Sequence, residues 1–326
     1  MTKLISRSVF ATAGFLLAAS TAFAADEVKH EDNAAPAGAA KHAEAAAPAN
    51  GEHEIERQTW PFGGFKGQFD KAQLQRGFLV YQEVCSTCHG LKRLSFRNLS
   101  EPGGPEFPVD AVKTLAANWP NQIPEMNDAG EFAVATKDKD GKANGFKYVT
   151  RPPLPSDPIL GPYANDKAAR AAQNGALPPD LSIIAKARGV HREASPLVHW
   201  LLMLGDVLHG YQEGGPDYIY ALLTGYGDAP ADMKMAEGMY YNQAFPGHQV
   251  AMPPPLSDGR VTKEQGYLLP PTAGNYARDV ASFLAWSADP SLDQRKRIGW
   301  QVMLYLLVTT LLLYFAKKRI WSKIKH

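Results

Sequence analysis

Cysteine is nearly absent: the 326-residue chain has two, Cys85 and Cys88, and both fall in the stretch Cys85-Ser86-Thr87-Cys88-His89. No disulfide framework can therefore hold the fold together, and no second cysteine pair exists to complete a four-ligand structural zinc site. Net charge is equally scant, +1 with histidine neutral, and no basic patch interleaved with aromatics occurs. Nothing in that balance supports nucleic-acid binding. Alternating strand patterns are few, and the body of the chain lacks an apolar run long enough to cross a bilayer.

What is present is concentrated at Cys85–His89. Two cysteines separated by two residues can each add to a haem vinyl group, and the adjacent histidine can reach the iron from one side. A thioredoxin-like dithiol would need the cysteines to open a helix after a buried strand. Instead the preceding "KAQLQRGFLVYQEV" repeats Leu74, Phe78, Tyr81 and Val84 at helical spacing, which predicts an amphipathic helix leading into the motif. Covalent haem c is the cofactor these residues point to.

In chain order, a basic start (Lys3, Arg7), an apolar "VFATAGFLLAA" and the small-residue site Ala22-Phe23-Ala24 predict a signal peptide over residues 1–24. Residues 25–59 are Ala-rich and without apolar periodicity, a composition expected to form a disordered leader. A globular domain is expected over 60–294, mainly α with long irregular loops, in which haem completes a core that short helices alone would not. Within it "LKRLSFRNLS" reads as a short helix, and "KDKDGKANGFKYVTRPPLPSDPILGPYAND" reads as a surface loop. In "KAARAAQNGALPPDLSIIAKAR" one helix ends at Asn174-Gly175, and Asp180 or Ser182 caps a second that ends near Arg188. "SPLVHWLLMLGDVLHGY" reads as an amphipathic helix on the domain, or as a contact with a membrane or partner. Finally, residues 298–315, "IGWQVMLYLLVTTLLLYF", carry no charge and match a bilayer span. Residues 295–326 are thus expected to form a transmembrane anchor and short tail. The larger basic excess follows the span, which puts the tail in the cytoplasm and the domain on the opposite side.

If His89 takes one axial position, the sixth ligand decides the chemistry: an open position suits ligand binding or peroxide chemistry, a held sulfur suits electron transfer. Met126, Met203, Met233, Met235 and Met239 have the character of packing residues, and His191, His199, His209 and His248 remain alternatives. Met252 differs in lying in "AMPPPL", where three prolines stiffen the backbone that would present its thioether. Stiffness alone leaves the choice open. Arg188 is a candidate donor to a haem propionate. An anchored electron carrier, a free-standing membrane cytochrome serving a terminal oxidase or reductase, and a haem enzyme or gas sensor with an exchangeable position all fit these residues.

Several stretches together resemble the cytochrome c1 family, the haem-bearing subunit of the cytochrome bc1 complex. They are "RGFLVYQEVCSTCHG", "NGALPPDLS", "GGPDYIYALLTGY", "YYNQAFPG", "AMPPPL", and "DVASFLAW" followed by "DQRKR" and the final span. They run in the family's order from about Phe69 to the end. The resemblance implies a cytochrome c-like haem domain with Cys85 and Cys88 carrying haem, and His89 and Met252 as the two iron ligands. It implies that Asn174, Ala176, Pro178, Pro179, Asp180 and Leu181 line the haem crevice, and that Arg188 and Tyr218 sit beside the propionates. The implied activity is that of a quinol–cytochrome c reductase, in which one electron at a time passes from a Rieske iron-sulfur subunit through this haem to a soluble or membrane-tethered cytochrome c. The implied partners are cytochrome b, the Rieske protein, cytochrome c and membrane lipid in a dimeric complex. The expected location is the bacterial inner membrane, single-pass, with the haem domain in the periplasm. Two departures stand out: an insertion over residues 190–211, and the lack of the second cysteine pair that supports the methionine loop in some bacterial members.

Overall fold

The computed structural model describes residues 55–126, 133–137, 139, 142–189 and 214–322. The expected signal peptide, most of the leader and the 190–211 insertion with its amphipathic pattern lie outside them.

Asp70 sets the first helix by accepting a hydrogen bond from the Ala72 amide, and α1 (Lys71–Glu83) follows. Leu74, Phe78 and Tyr81 are buried along its inner face, as the spacing predicts, and Val84 closes the helix through a hydrogen bond to the Val80 carbonyl. The chain then tightens into a 3₁₀ turn, Cys85–Thr87.

Beyond the motif the expected short helix is a strand. β1 (Leu91–Ser95) gives way to a 3₁₀ turn at Phe96–Ser100, and then to α2 (Val109–Ala117). The amides of Lys92 and Arg93 are taken by side-chain oxygens of Asp180 and Ser182, at 2.8 and 3.0 Å, while Leu91 and Leu94 are buried. These long-range partners outcompete the i−4 carbonyls that a helix would offer. The polar segment read as a loop also contains strands. β2 (Ile123–Pro124) pairs with β5 (Thr150–Arg151), β3 (Ala133–Lys137) pairs with β4 (Ala143–Tyr148) as a hairpin, and β6 (Pro158–Ile159) returns to pair with β1. Such small two-stranded ribbons bury little and leave a weak periodic signal.

α3 (Asp166–Ala172) is capped by Asn165. It is followed by Asn174 and Gly175, both left-handed (φ 51° and 89°), a reversal that the Asn-Gly pair predicts. α4 (Ile184–Ala187) is a single turn without a side-chain cap, so the expected cap is corrected: Asp180 and Ser182 tie the chain to β1 instead. After the second break come α5 (Gly215–Thr224), the short ribbon β7 (Tyr240–Tyr241) with β8 (Gln249–Val250), α6 (Ala273–Ala288) and α7 (Leu292–Trp321).

α6 is the central helix: α1, α4 and α5 all pack on it. At its crossing with α1 a Cβ on Gly77 would stand 2.1 Å from the Asp279 carbonyl oxygen and 2.7 Å from Phe283 Cβ. Only glycine lets the helices approach that closely. Beside this crossing Arg76 grips Asp279 bidentately (2.8 and 3.2 Å), and the Tyr267 hydroxyl donates to the same carboxylate (2.8 Å). Residues before Trp60 already belong to the fold: the Gln58 amide and Trp60 Nε1 donate to the buried Asp217, and Arg278 donates to the Thr59 carbonyl.

α7 spans 30 residues and its apolar segment is unburied, which makes it the helix long and apolar enough to cross a membrane. It starts at Leu292, a few residues before the expected boundary. Its first turn is tied to the domain: Asp293 accepts from the Phe69 amide (3.2 Å), and Lys296 donates to the carbonyls of Phe62 (2.5 Å) and Gly67 (3.1 Å).

Candidate functional site

The site starts from the last turn of α1. Its 3₁₀ extension holds Cys85 and Cys88 as free thiols, with the Cys88 amide donating to the Cys85 carbonyl at 3.1 Å. Burial, reinforced by the neighbouring Cys88, pushes the Cys85 thiol up to about 12. Thr87 and Gln173 approach the Cys88 sulfur at 3.8 and 3.7 Å, and Gln173 also donates to the Tyr163 hydroxyl at 2.6 Å.

His89 is fixed twice. Tyr81 donates to its main-chain carbonyl at 3.1 Å, and Nδ1 of its ring lies 2.7 Å from the Pro179 carbonyl. A carbonyl can only accept, so the proton of the neutral ring is on Nδ1 and the lone pair is on Nε2. Burial lowers the histidine's affinity for a second proton, against the opposing pull of Pro179 and Asp180. The arrangement is the one a metal-ligating imidazole needs, an oriented ring with a free Nε2.

Pro179 reaches this position because residues 179–182 are laced to residues 89–93. The Leu181 amide donates to the Gly90 carbonyl (2.9 Å), and Asp180 bridges the Ser182 amide (3.0 Å) and the Lys92 amide (2.8 Å). A Cβ on Gly90 would lie 2.5 Å from the Gly161 nitrogen, so the chain just after β6 also presses on this turn. Asn174 and Ala176 shape the approach to Pro178-Pro179 through the backbone. The Gly175 amide returns to Arg170 (2.7 Å), the Ala176 amide returns to Gln173 (2.9 Å), and Leu177 is left partly exposed.

Arg188 and Tyr218 are electrostatic neighbours: burial raises the Tyr218 phenol, and the guanidinium of Arg188 offsets part of that rise. The Tyr226 phenol is raised by burial and, to a lesser extent, by the electrostatic influence of Tyr218. Its hydroxyl donates to the Met252 carbonyl at 3.1 Å. Met252 is half-buried and leads into Pro253-Pro254-Pro255, while Leu256 beyond them packs on the core.

The residues fit a covalently attached haem: two cysteines one turn apart, an oriented imidazole, a guanidinium beside a phenol, and a thioether on a stiff segment. Sequence reasoning missed Tyr81, Gln173 and Tyr226. Tyr81 was legible only as a core residue. Nothing local marks the other two, because Gln173 meets Cys88 across 85 residues and Tyr226 meets Met252 across 26.

Comparison with known proteins agrees with this chemistry. The model of the Cytochrome C1 family matches residues 60–324. Cytochrome c1 of Blastochloris viridis is 45% identical over 268 residues, covering 82% of this chain and 86% of that protein. Cytochrome c1 of Rhodospirillum rubrum is 40% identical over 288 residues, covering 83% and 89%. A mitochondrial relative, the cytochrome c1 1 heme protein of Arabidopsis thaliana, is 35% identical over 276 residues, covering 84% and 75%.

Proposed function

The chain belongs to the cytochrome c1 family, and on that premise we propose that it relays single electrons from the Rieske iron-sulfur subunit to a soluble or membrane-tethered cytochrome c. At the coarser level it is the c-type haem electron-transfer subunit of the cytochrome bc1 complex, alongside cytochrome b and the Rieske protein. Haem c, covalently bound, supplies a one-electron iron centre when attached.

The chain's own residues do the rest. Cys85 and Cys88 each give a sulfur to the covalent attachment. His89 presents a neutral Nε2 while its Nδ1 proton is donated to the Pro179 carbonyl, which orients the ring and raises its basicity. Met252 would hold the iron through its thioether, and a held sulfur ligand would favour relay over ligand exchange. Arg188 and Tyr218 would neutralise and hydrogen-bond the propionates. Asn174, Ala176, Pro178 and Pro179 wall the crevice with a segment poor in N–H donors, so closing it on an apolar group strands few polar atoms. The single observation that carries the reading is the 2.7 Å contact between His89 Nδ1 and the Pro179 carbonyl, beside the Cys85–Cys88 pair.

α7 anchors the domain as a single-pass protein. The basic residues after it (Lys317, Lys318, Arg319, Lys323, Lys325) favour a cytoplasmic tail and a periplasmic haem domain in a bacterial inner membrane. Lipid contacts around α7 and a dimeric complex belong to the same proposal, as do a cleaved signal peptide over 1–24, a leader up to the domain and a haem domain through residue 294.

Affinity purification through this chain from detergent-solubilised membranes tests the reading. Cytochrome b and the Rieske protein are expected in the eluate, with the haem c reduced on adding a quinol and reoxidised by cytochrome c. A haem protein that arrives alone and ignores quinol sinks it in favour of a free-standing cytochrome. Rapid binding of carbon monoxide by the reduced wild type favours an open-site haem protein.

A further inference from the structure

Met252 stands on a loop that the fold also secures through the main chain of Met252 itself. The carbonyl of Met252 accepts a hydrogen bond from the Tyr226 hydroxyl at 3.1 Å. Tyr226 in turn is fixed at the end of α5. It forms an isolated antiparallel bridge with Asn242, and the Gln243 amide donates to the Gly225 carbonyl at 2.9 Å.

Asn242 is fully buried and all of its polar groups work on the same junction. Its Nδ2 donates to the Leu222 carbonyl (2.7 Å), one of the acceptors that the last turn of α5 leaves open. Its Oδ1 accepts the amides of Ala244 and Phe245 (3.0 and 3.2 Å). Its main chain pairs with His248, the Asn242 amide donating to the His248 carbonyl (3.0 Å) and His248 Nδ1 lying 3.2 Å from the Asn242 carbonyl. Gly247 takes a left-handed φ of 76° freely, whereas His248 at 58° departs from the usual preference of a non-glycine residue and is held there by those contacts. The turn closes the β7/β8 ribbon, whose last residue, Val250, is buried two positions before Met252.

We propose that Tyr226 is a positioning residue for the sixth iron ligand, with Asn242 as its support, the pair clamping the Met252 loop to the C-terminal end of α5 so that the thioether stays on the iron. This rests on the reading of Met252 as that ligand. The clamp also joins the two sides of the site. Tyr226 is the electrostatic neighbour of Tyr218, and Tyr218 of Arg188, so the group that fixes the methionine loop is linked through Tyr218 to the proposed propionate donors. Prolines 253–255 stiffen the loop but cannot by themselves fix its distance from the iron. The hydroxyl does, because it holds the main chain of the ligating residue itself.

The test uses the full chain in its purified complex, as wild type, Tyr226→Phe, Asn242→Asp, Tyr267→Phe and Met252→Leu, with spectra normalised to haem. The readouts are the weak sulfur-to-iron band in the near infrared, the midpoint potential, and carbon monoxide binding by the reduced protein. In Tyr226→Phe the haem fraction with methionine detached is expected to rise about tenfold, the scale of one buried hydrogen bond lost. The band should weaken, the potential fall and carbon monoxide bind. Asn242→Asp, which loses the donor to Leu222, moves the same readouts in the same direction, so either variant suffices if the other accumulates poorly. Tyr267→Phe deletes a comparably placed hydroxyl that serves Asp279 instead, and is expected to alter melting while leaving all three haem readouts at wild-type values. Wild-type band, potential and carbon monoxide resistance in Tyr226→Phe and Asn242→Asp overturn the proposal while leaving Met252 as ligand. A wild type without the band, unchanged in Met252→Leu, overturns the Met252 reading first.

Discussion

The two nitrogens of His89 have different tasks, and the residues around it are arranged to keep them apart. Nδ1 is bound to the Pro179 carbonyl at 2.7 Å, and that carbonyl is held in place by the Leu181–Gly90 hydrogen bond and the Asp180 bridge. Gly90 is the tightest point in this lacing, since a Cβ there meets Gly161 backbone that cannot swing aside. Gly90→Ala is therefore expected to cost about 2 kcal/mol of stability, in the range of overpacking. It should also reduce the haem incorporated per chain, because Gly90 adjoins His89 and its carbonyl takes the Leu181 amide that holds Pro179 in place. Thermal melting and haem-to-protein ratio check both. The motif residues are legible in the sequence because their spacing is itself the chemistry, while the role of Pro179 as acceptor is a contact across 90 residues and leaves no local trace.

At the scale of elements, the junction between α6 and α7 turns on Asp289. Burial pushes its carboxyl up, yet hydrogen bonds from Arg295 (2.9 and 2.5 Å) and Lys186 (2.8 Å) outweigh that and hold it below the ordinary carboxylate range. With the folded value lowered, the stabilisation is complete above the ordinary carboxylate range and is lost as the pH falls through the folded value. Asp289→Ala is expected to cost about 2 kcal/mol at neutral pH, less than a fully buried pair because both cations are partly exposed. It should also flatten the acid limb of the stability–pH curve, measured by denaturant unfolding at several pH values. The helices α1 and α6 are readable because each has a side-chain cap and an apolar stripe, and α3 because Asn165 caps an Ala-rich run. β1 is misread as a helix because its amides are claimed by Asp180 and Ser182, partners that no window of sequence contains.

Across the whole molecule, the anchor is not an appendage. Asp293 and Lys296 fasten the first turn of α7 to the Phe62–Phe69 segment, while the apolar stretch beyond Arg297 is exposed to what surrounds the domain. A chain ending at Arg297 should leave the membrane fraction yet keep its haem and its melting behaviour. One ending at Pro290 loses those ties and the Arg295–Asp289 pair, and should melt lower. Fractionation, haem staining and calorimetry distinguish the two, and equal melting of both would refute the structural role assigned to the first turn of α7.

By itself the sequence determined the features whose information is local. These are covalent haem from Cys85–His89, the reversal at Asn174-Gly175, the helix leading into the motif, and a bilayer-length helix near the C-terminus. Each is decided by spacing or periodicity within a few turns, so neighbours along the chain suffice. The family's stretches extended that reading to Met252, Arg188 and Tyr218. Tertiary structure alone decided which groups hold those residues. Pro179 orients His89, Tyr226 and Asn242 fasten the Met252 loop, Asp180 and Ser182 make a strand of Leu91–Ser95, and Lys296 ties the anchor to the domain. In each case one hydrogen-bond partner lies at least about twenty residues away in sequence, and a directional bond leaves no periodicity by which to find it.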